Sequence, residues 1–132
     1  MIFLLEVPII TEGRFEGVVY GGINAAFLSD IVANLSMGDD GVAYVLDGSG
    51  NVIGHRDESV VAEGSNMIEA AKTDSGAADV AEVNQRMLQG ETGFGSYNFY
   101  GDNKLVGFAP IEGFQKWSIA IETSQREFKS TL

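Results

Sequence analysis

The chain has 132 residues, 45% of them hydrophobic, enough for one domain with a real core and too few for two ordinary ones. Its formal net charge is −11 and its eight lysines and arginines are scattered, which excludes nucleic acid and disfavours anionic lipid as partners. It has no cysteine, so disulfides, thiolate metal sites and cysteine nucleophiles are excluded together.

The opening "MIFLLEVPII" has no basic residues ahead of its apolar run, and that run is short before Glu6. It reads as neither a signal peptide nor a membrane span. "EVPIITEGRFEGVVYGGI" reads as two strands around a turn at Thr11 to Arg14, with Pro8 suited to an edge strand. "NAAFLSDIVANL" is helical: Leu28, Ile31, Val32 and Leu35 follow the i, i+3, i+4, i+7 spacing, and Asn24 suits an N-cap. "VAYVLD" and "NVIGH" are strands joined through Asp47-Gly48-Ser49-Gly50, a hairpin signal. From Glu58 to Gly90 strand formers thin out; Val80, Val83 and Met87 share a helical face, and Gly90 fits the position after a helix end. Three strands follow: "FGSYNFY", "KLVGFAPI" and "KWSIAIE". In the last, Trp117, Ile119 and Ile121 alternate with Ser118, Ala120 and Glu122, the pattern of a half-buried antiparallel strand. Ser124 and Glu127 form an S-x-x-E capping box that starts a final helix. The order describes a PAS-like α+β domain, an antiparallel sheet with helices packed on one face.

"GVAYVLDGSGNVIGHRD" carries the most chemistry. Asp47, Ser49 and Asn51 alternate, and Glu58 falls where an EF-hand keeps its last carboxylate. Val52 occupies the position that needs glycine, and a strand stands where a helix is required, so a glycine-rich hairpin is the better reading. His55 and Asp57 lie near Ser49 and Ser59, but no G-x-S-x-G elbow is present, so no enzyme is expected. One histidine without cysteine makes a poor metal site, and a haem would find only His55; no metal and no cofactor are expected. What remains is a strand ending in His55, Arg56 and Asp57, whose groups suit a small anion or zwitterion.

Gly17, Val18, Ile23, Leu28, Gly38, Gly41, Tyr44, Asp47, Gly50, Ile53, His55, Tyr97, Pro110, Ile111 and Trp117 stand in an order and spacing that resemble the double Cache sensor domains of bacterial transmembrane receptors. The resemblance covers nearly the whole chain. It implies that residues 1–23 are closing strands of a truncated membrane-distal module. Residues 24–132 would be the membrane-proximal PAS-like module and the start of the helix toward the membrane. It further implies the extracytoplasmic part of a cell-membrane receptor, most commonly a methyl-accepting chemotaxis receptor, homodimeric in full length. Histidine kinases and cyclic-dinucleotide enzymes are alternative hosts. Where many amine-binding members carry an aspartate at the end of the distal strand, this chain has Gly22.

Aromatic side chains on strands mostly fill cores, but a buried phenol needs a partner, which a ligand can supply. Tyr44, His55, Arg56, Asp57, Tyr97 and Tyr100 are therefore the expected ligand-binding residues. The expected ligand is a small organic solute, an organic acid or similar. The competing reading is a ligand-free spacer or dimerisation module, its cavity filled by Phe and Met. Exposed N-terminal strands would let the fragment self-associate.

Overall fold

The computed structural model of the chain describes residues 2–35, 41–113 and 116–125, with side chains for 8–19, 28–35, 41–113 and 116–125. Strands β1 (Ile2–Thr11) and β2 (Arg14–Asn24) pair antiparallel in a sheet of their own. Their turn is Glu12-Gly13, with φ of 51° and 78°, so both central residues are left-handed, as a hairpin that matches strand twist requires. Pro8 sits opposite Val18 and, in a two-stranded sheet, disrupts no second ladder.

Helix α1 (Ala25–Ala33) follows β2 directly. The side chain of Asn24 lies outside the described residues. The buried face of α1 differs from the expected stripe: Ser29 and Val32 are buried, whereas Ile31 and Leu35 are exposed. The cause is the approach to the sheet. Gly54 has no side chain, and a Cβ there would meet Leu28 Cγ at 3.0 Å and Val45 Cβ at 3.5 Å. The helix therefore seats its Leu28 side, and Ser29 Oγ accepts a hydrogen bond from the His55 backbone N–H at 3.3 Å.

The main sheet comprises β3 (Val42–Leu46), β4 (Val52–His55), β5 (Gly93–Phe99), β6 (Asp102–Pro110) and β7 (Ser118–Ser124), in the order β4-β3-β7-β6-β5. Every neighbouring pair is antiparallel. The expected α+β, PAS-like architecture is present. The segment between β4 and β5 is not one helix but α2 (Glu58–Ala62), α3 (Met67–Ala70), a 3-10 turn (Ser75–Ala77) and α4 (Ala78–Leu88). Three side-chain caps divide it: Asp57, Asn66 and Asp74 accept from the backbone N–H groups of Ser59, Glu69 and Gly76. Helix α4 ends at Leu88 and, as expected, Gly90 follows its end with φ 77°. Gly90 N–H donates to Met87 and Glu91 N–H to Arg86, a Schellman closure.

The alternation of β3 assigns its residues to two cores. Tyr44 and Leu46 join Val61, Val80, Val83, Met87, Val106, Phe108 and Ala120 beneath α2–α4. Ala43 and Val45 join Val32 and Ile53, with Leu28, Trp117, Ile119 and Ile121 packed against them. Helices of the middle segment thus cover one face, and α1 adds a smaller cluster on the other. Strand β7 is consequently central and covered on both faces, so the row Ser118, Ala120, Glu122 faces the interior under α2–α4 rather than water. Glu127, half of the expected capping box, lies outside the described residues.

Candidate functional site

Between the inner face of the main sheet and helices α2–α4 lies a cavity of about 210 Å³. That is below the ~300–1,000 Å³ typical of sites for drug-sized ligands, so it suits a small solute. Tyr44 on β3 and His55 on β4 are register partners, which brings both side chains to the cavity. Tyr97 and Phe99 reach it from β5, two residues apart and so on one face, and Glu122 reaches it from β7. Val60, Met67, Val80 and Asn84 close it from the helices, with Val52 and Ser65 completing the wall.

Four polar groups define the chemistry: Tyr44, Asn84, Glu122 and His55. Asn84, 1% exposed on α4, donates from Nδ2 to the Tyr44 hydroxyl at 3.1 Å. Burial raises the Tyr44 phenol well above its ordinary pKa; the nearby Glu122 charge adds to this and the Asn84 bond opposes it. The Glu122 carboxyl has no hydrogen-bond or ion-pair partner among the described residues, and burial pushes its pKa up to about 7. An isolated carboxylate at an apolar wall loses hydration without compensation, which favours the protonated form. Half-buried His55 accepts at Nδ1 from the Asp57 backbone N–H at 2.9 Å, which places the proton of the neutral ring on Nε2. Burial lowers its pKa, Asp57 opposing and Arg56 reinforcing the change.

Of the residues expected from sequence, Tyr44, His55 and Tyr97 come together here, while Arg56, Asp57 and Tyr100 do not line the cavity. Beyond His55 the chain leaves the sheet, so Arg56 is exposed. Asp57 turns into the α2 cap: its Oδ1 accepts from Ser59 Oγ at 2.6 Å and Ser59 N at 3.1 Å, which together hold its carboxyl below the usual range. Tyr100, φ 50° and 61% exposed, lies in the β5–β6 turn, where its hydroxyl donates to the Asp74 carboxylate. The turn before β4 absorbs the Asp47 carboxylate: Oδ1 accepts from Ser49 N and Asn51 N, and Oδ2 from Asn51 Nδ2. That geometry makes Asp47 a turn former.

Glu122 and Asn84 were not among the expected site residues. Asn84 had a visible signal, since it falls four residues after Val80 and three before Met87 on the apolar face of α4. Glu122 was concealed because a polar row in an alternating strand reads as the solvent side.

The Cache domain family model (dCache_1) matches residues 1–132. Solved structures of the same fold include the ligand-binding domain of the Pseudomonas fluorescens chemoreceptor CtaA in complex with L-isoleucine. It shares 21% identity at a TM-score of 0.62, over 99% of this chain and 49% of that one. The periplasmic sensory domain of the Campylobacter jejuni chemoreceptor Tlp1 aligns at 15% identity and a TM-score of 0.69, over 98% and 45%. The ligand-binding domain of the Pseudomonas aeruginosa PAO1 amino acid chemoreceptor PctB in complex with L-Gln aligns at 20% and 0.61, over 99% and 48%. The chain thus spans about half the length of these structures. With a family match over its full length and the strand order described above, the chain belongs to the Cache domain family.

Proposed function

We propose that this chain is part of the extracytoplasmic sensor region of a bacterial membrane receptor of the chemoreceptor class, and that it binds a small solute without transforming it. The cavity beneath α2–α4 is the binding site, with Tyr44, His55, Tyr97, Asn84 and Glu122 as its ligand contacts. The observation that carries this reading is the unpaired Glu122 carboxyl facing an open cavity beside a phenol and an amide. A spacer module would fill that volume; here Met67 and Phe99 form walls and leave it open. Chemoreceptor domains of the same fold, solved with isoleucine and glutamine, are in keeping with a small ligand. Among the described residues no helix is long and apolar enough to cross a membrane.

In this reading residues 1–23 are closing strands of a neighbouring Cache module, and residues 24–132 form the module that holds the cavity. The separate β1–β2 sheet supports that division, as do the exposed side chains of Ile9, Ile10, Phe15 and Val19. In isolation this hairpin also offers a surface for self-association. Ligand contact at Glu122 acts on β7 two residues before its end at Ser124, and so biases the segment that follows. The ligand shifts that equilibrium only by its differential affinity for the two arrangements.

A thermal-shift series of amines, amino acids and organic acids, on the wild type and on Val80→Phe, tests the site. One class should raise the melting temperature of the wild type by mass action and lose its effect when the introduced phenyl ring occupies the cavity. Equal shifts in both proteins, or none in either, would refute cavity binding.

A further inference from the structure

The cavity is asymmetric in charge. The Glu122 carboxyl faces it without a partner, and among the described residues its lining contains no lysine or arginine. The other ionisable side chains lining the cavity with Glu122 are Tyr44 from β3, His55 from β4 and Tyr97 from β5; α2, α3 and α4 contribute none. On β6, Lys104 is the register partner of Tyr97 and shares its face, but it does not line the cavity and its ammonium pairs with Asp102 at 3.2 Å. The Tyr44 phenol, raised above its ordinary pKa by burial, is neutral near pH 7, and a histidine held below its ordinary pKa is mostly neutral there. At pH 8, where Glu122 is mostly ionised, a ligand carboxylate would therefore enter a site that already holds an uncompensated negative group. A zwitterionic amino acid would satisfy Glu122 with its ammonium, but its own carboxylate would find only the neutral donors of His55, Tyr97 and Ser65 and no cationic partner. A small alkylammonium leaves nothing unpaired: its charge meets Glu122, its N–H groups can also reach the Tyr44 oxygen, and its alkyl body fits apolar walls. The aromatic rings at Tyr97 and Phe99 favour a cation further.

We infer that the cavity selects a small monocationic amine lacking a carboxylate, with Glu122 as its counter-charge, and that binding displaces the proton of Glu122 into solvent. This deepens the proposed function and rests on the cavity being a binding site. The proton balance is explicit: the protonated amine enters, the Glu122 carboxylic acid gives up its proton to water or buffer, and an ammonium–carboxylate pair remains. An alkylammonium keeps its own proton throughout, since its pKa resembles that of lysine, about 10.4. Protonated His55 would also repel the ligand, so both groups weaken binding as pH falls.

Calorimetry on the purified chain with four probes of similar size separates the alternatives: n-butylammonium, norvaline, n-butanol and butyrate. At pH 8, n-butylammonium should bind, and the other three roughly tenfold or more weakly. With the Glu122 pKa at about 7, the ionised fraction falls about tenfold between pH 8 and pH 6, and the butylammonium affinity should fall with it. At pH 6 the binding heat should vary with the ionisation enthalpy of the buffer. Glu122→Gln should lose both the affinity and the pH dependence, and Glu122→Met serves as a second neutral variant if the amide disturbs folding. Tighter binding of n-butanol, butyrate or norvaline, abolished by Val80→Phe, would overturn the amine inference and leave cavity binding standing. Butylammonium binding that survives both Glu122 substitutions would also overturn it. Absence of binding by all four probes to a folded protein would overturn the inference and the cavity reading together.

Discussion

Replacing Glu122 with Gln should stabilise the unliganded protein at pH 8 and leave it nearly unchanged at pH 4. Burial displaces the carboxyl pKa from an ordinary 4.5 to about 7. That difference of about 2.5, at about 1.36 kcal/mol for each pH unit, amounts to about 3 kcal/mol. Below pH 4.5 the carboxyl is protonated in both folded and unfolded chains, and its burial carries no charge penalty. Between pH 4.5 and 7 the unfolded chain releases its proton first, so stability falls as pH rises. Above pH 7 the carboxylate is ionised in both states and the penalty is fully developed. The amide introduced by Glu122→Gln does not titrate, so the gap between variant and wild type should open across that window. For a chain of this length the gap at pH 8 corresponds to roughly 10 °C in melting temperature. Urea unfolding of both proteins at pH 4, 6 and 8 measures it. A gap that is the same at pH 4 and pH 8 would show that Glu122 is not held in an uncompensated site, and the electrostatic reasoning about the cavity would fail.

Three further outcomes follow from contacts elsewhere. Asn84→Leu removes the donor to the buried Tyr44 hydroxyl and should cost about 1–3 kcal/mol in urea unfolding, with Asn84→Leu/Tyr44→Phe costing less than the sum of the singles. Gly54→Ala places a methyl 3.0 Å from Leu28 Cγ and should destabilise by about 1–3 kcal/mol, with faster amide exchange in α1 than in α4. Gly76→Ala drives a Cβ into the Tyr100 ring and should part its hydroxyl from Asp74. The Tyr100 phenol, raised chiefly by that hydrogen bond, should return toward its ordinary pKa in an ultraviolet titration, with Tyr44 unaffected.

Period and punctuation made much of the fold legible. The apolar run "VAYVL", the alternation in "KWSIAIE", the helical face of Val80, Val83 and Met87, and the closing Gly90 are local signals, and each matches its element. What was not legible depends on neighbours. Whether Ser118, Ala120 and Glu122 face water or a cavity is decided by β3 and β6 flanking β7, and by α2–α4 above it. The seated side of α1 is set by the missing side chain of Gly54, 26 residues after Leu28. The division of the middle helix was written in Asp57, Asn66 and Asp74, three cap residues hidden in an acidic stretch that reads as solvated surface. Within the candidate site, the Tyr44–His55 pairing follows from hairpin register, whereas Arg56 and Asp57 lie past the point where that register ends.

The claim that this cavity is a binding site is tested most directly by an amide and side-chain nitrogen NMR titration of the folded chain with n-butylammonium at pH 7.5. Saturable shifts should appear at the Asn84 side-chain amide and at the backbone amides of Tyr44, Tyr97 and Glu122, and should vanish in Val80→Phe. Unsaturable shifts spread over the acidic surface, or saturable ones confined to Arg56 and Asp57, would contradict it.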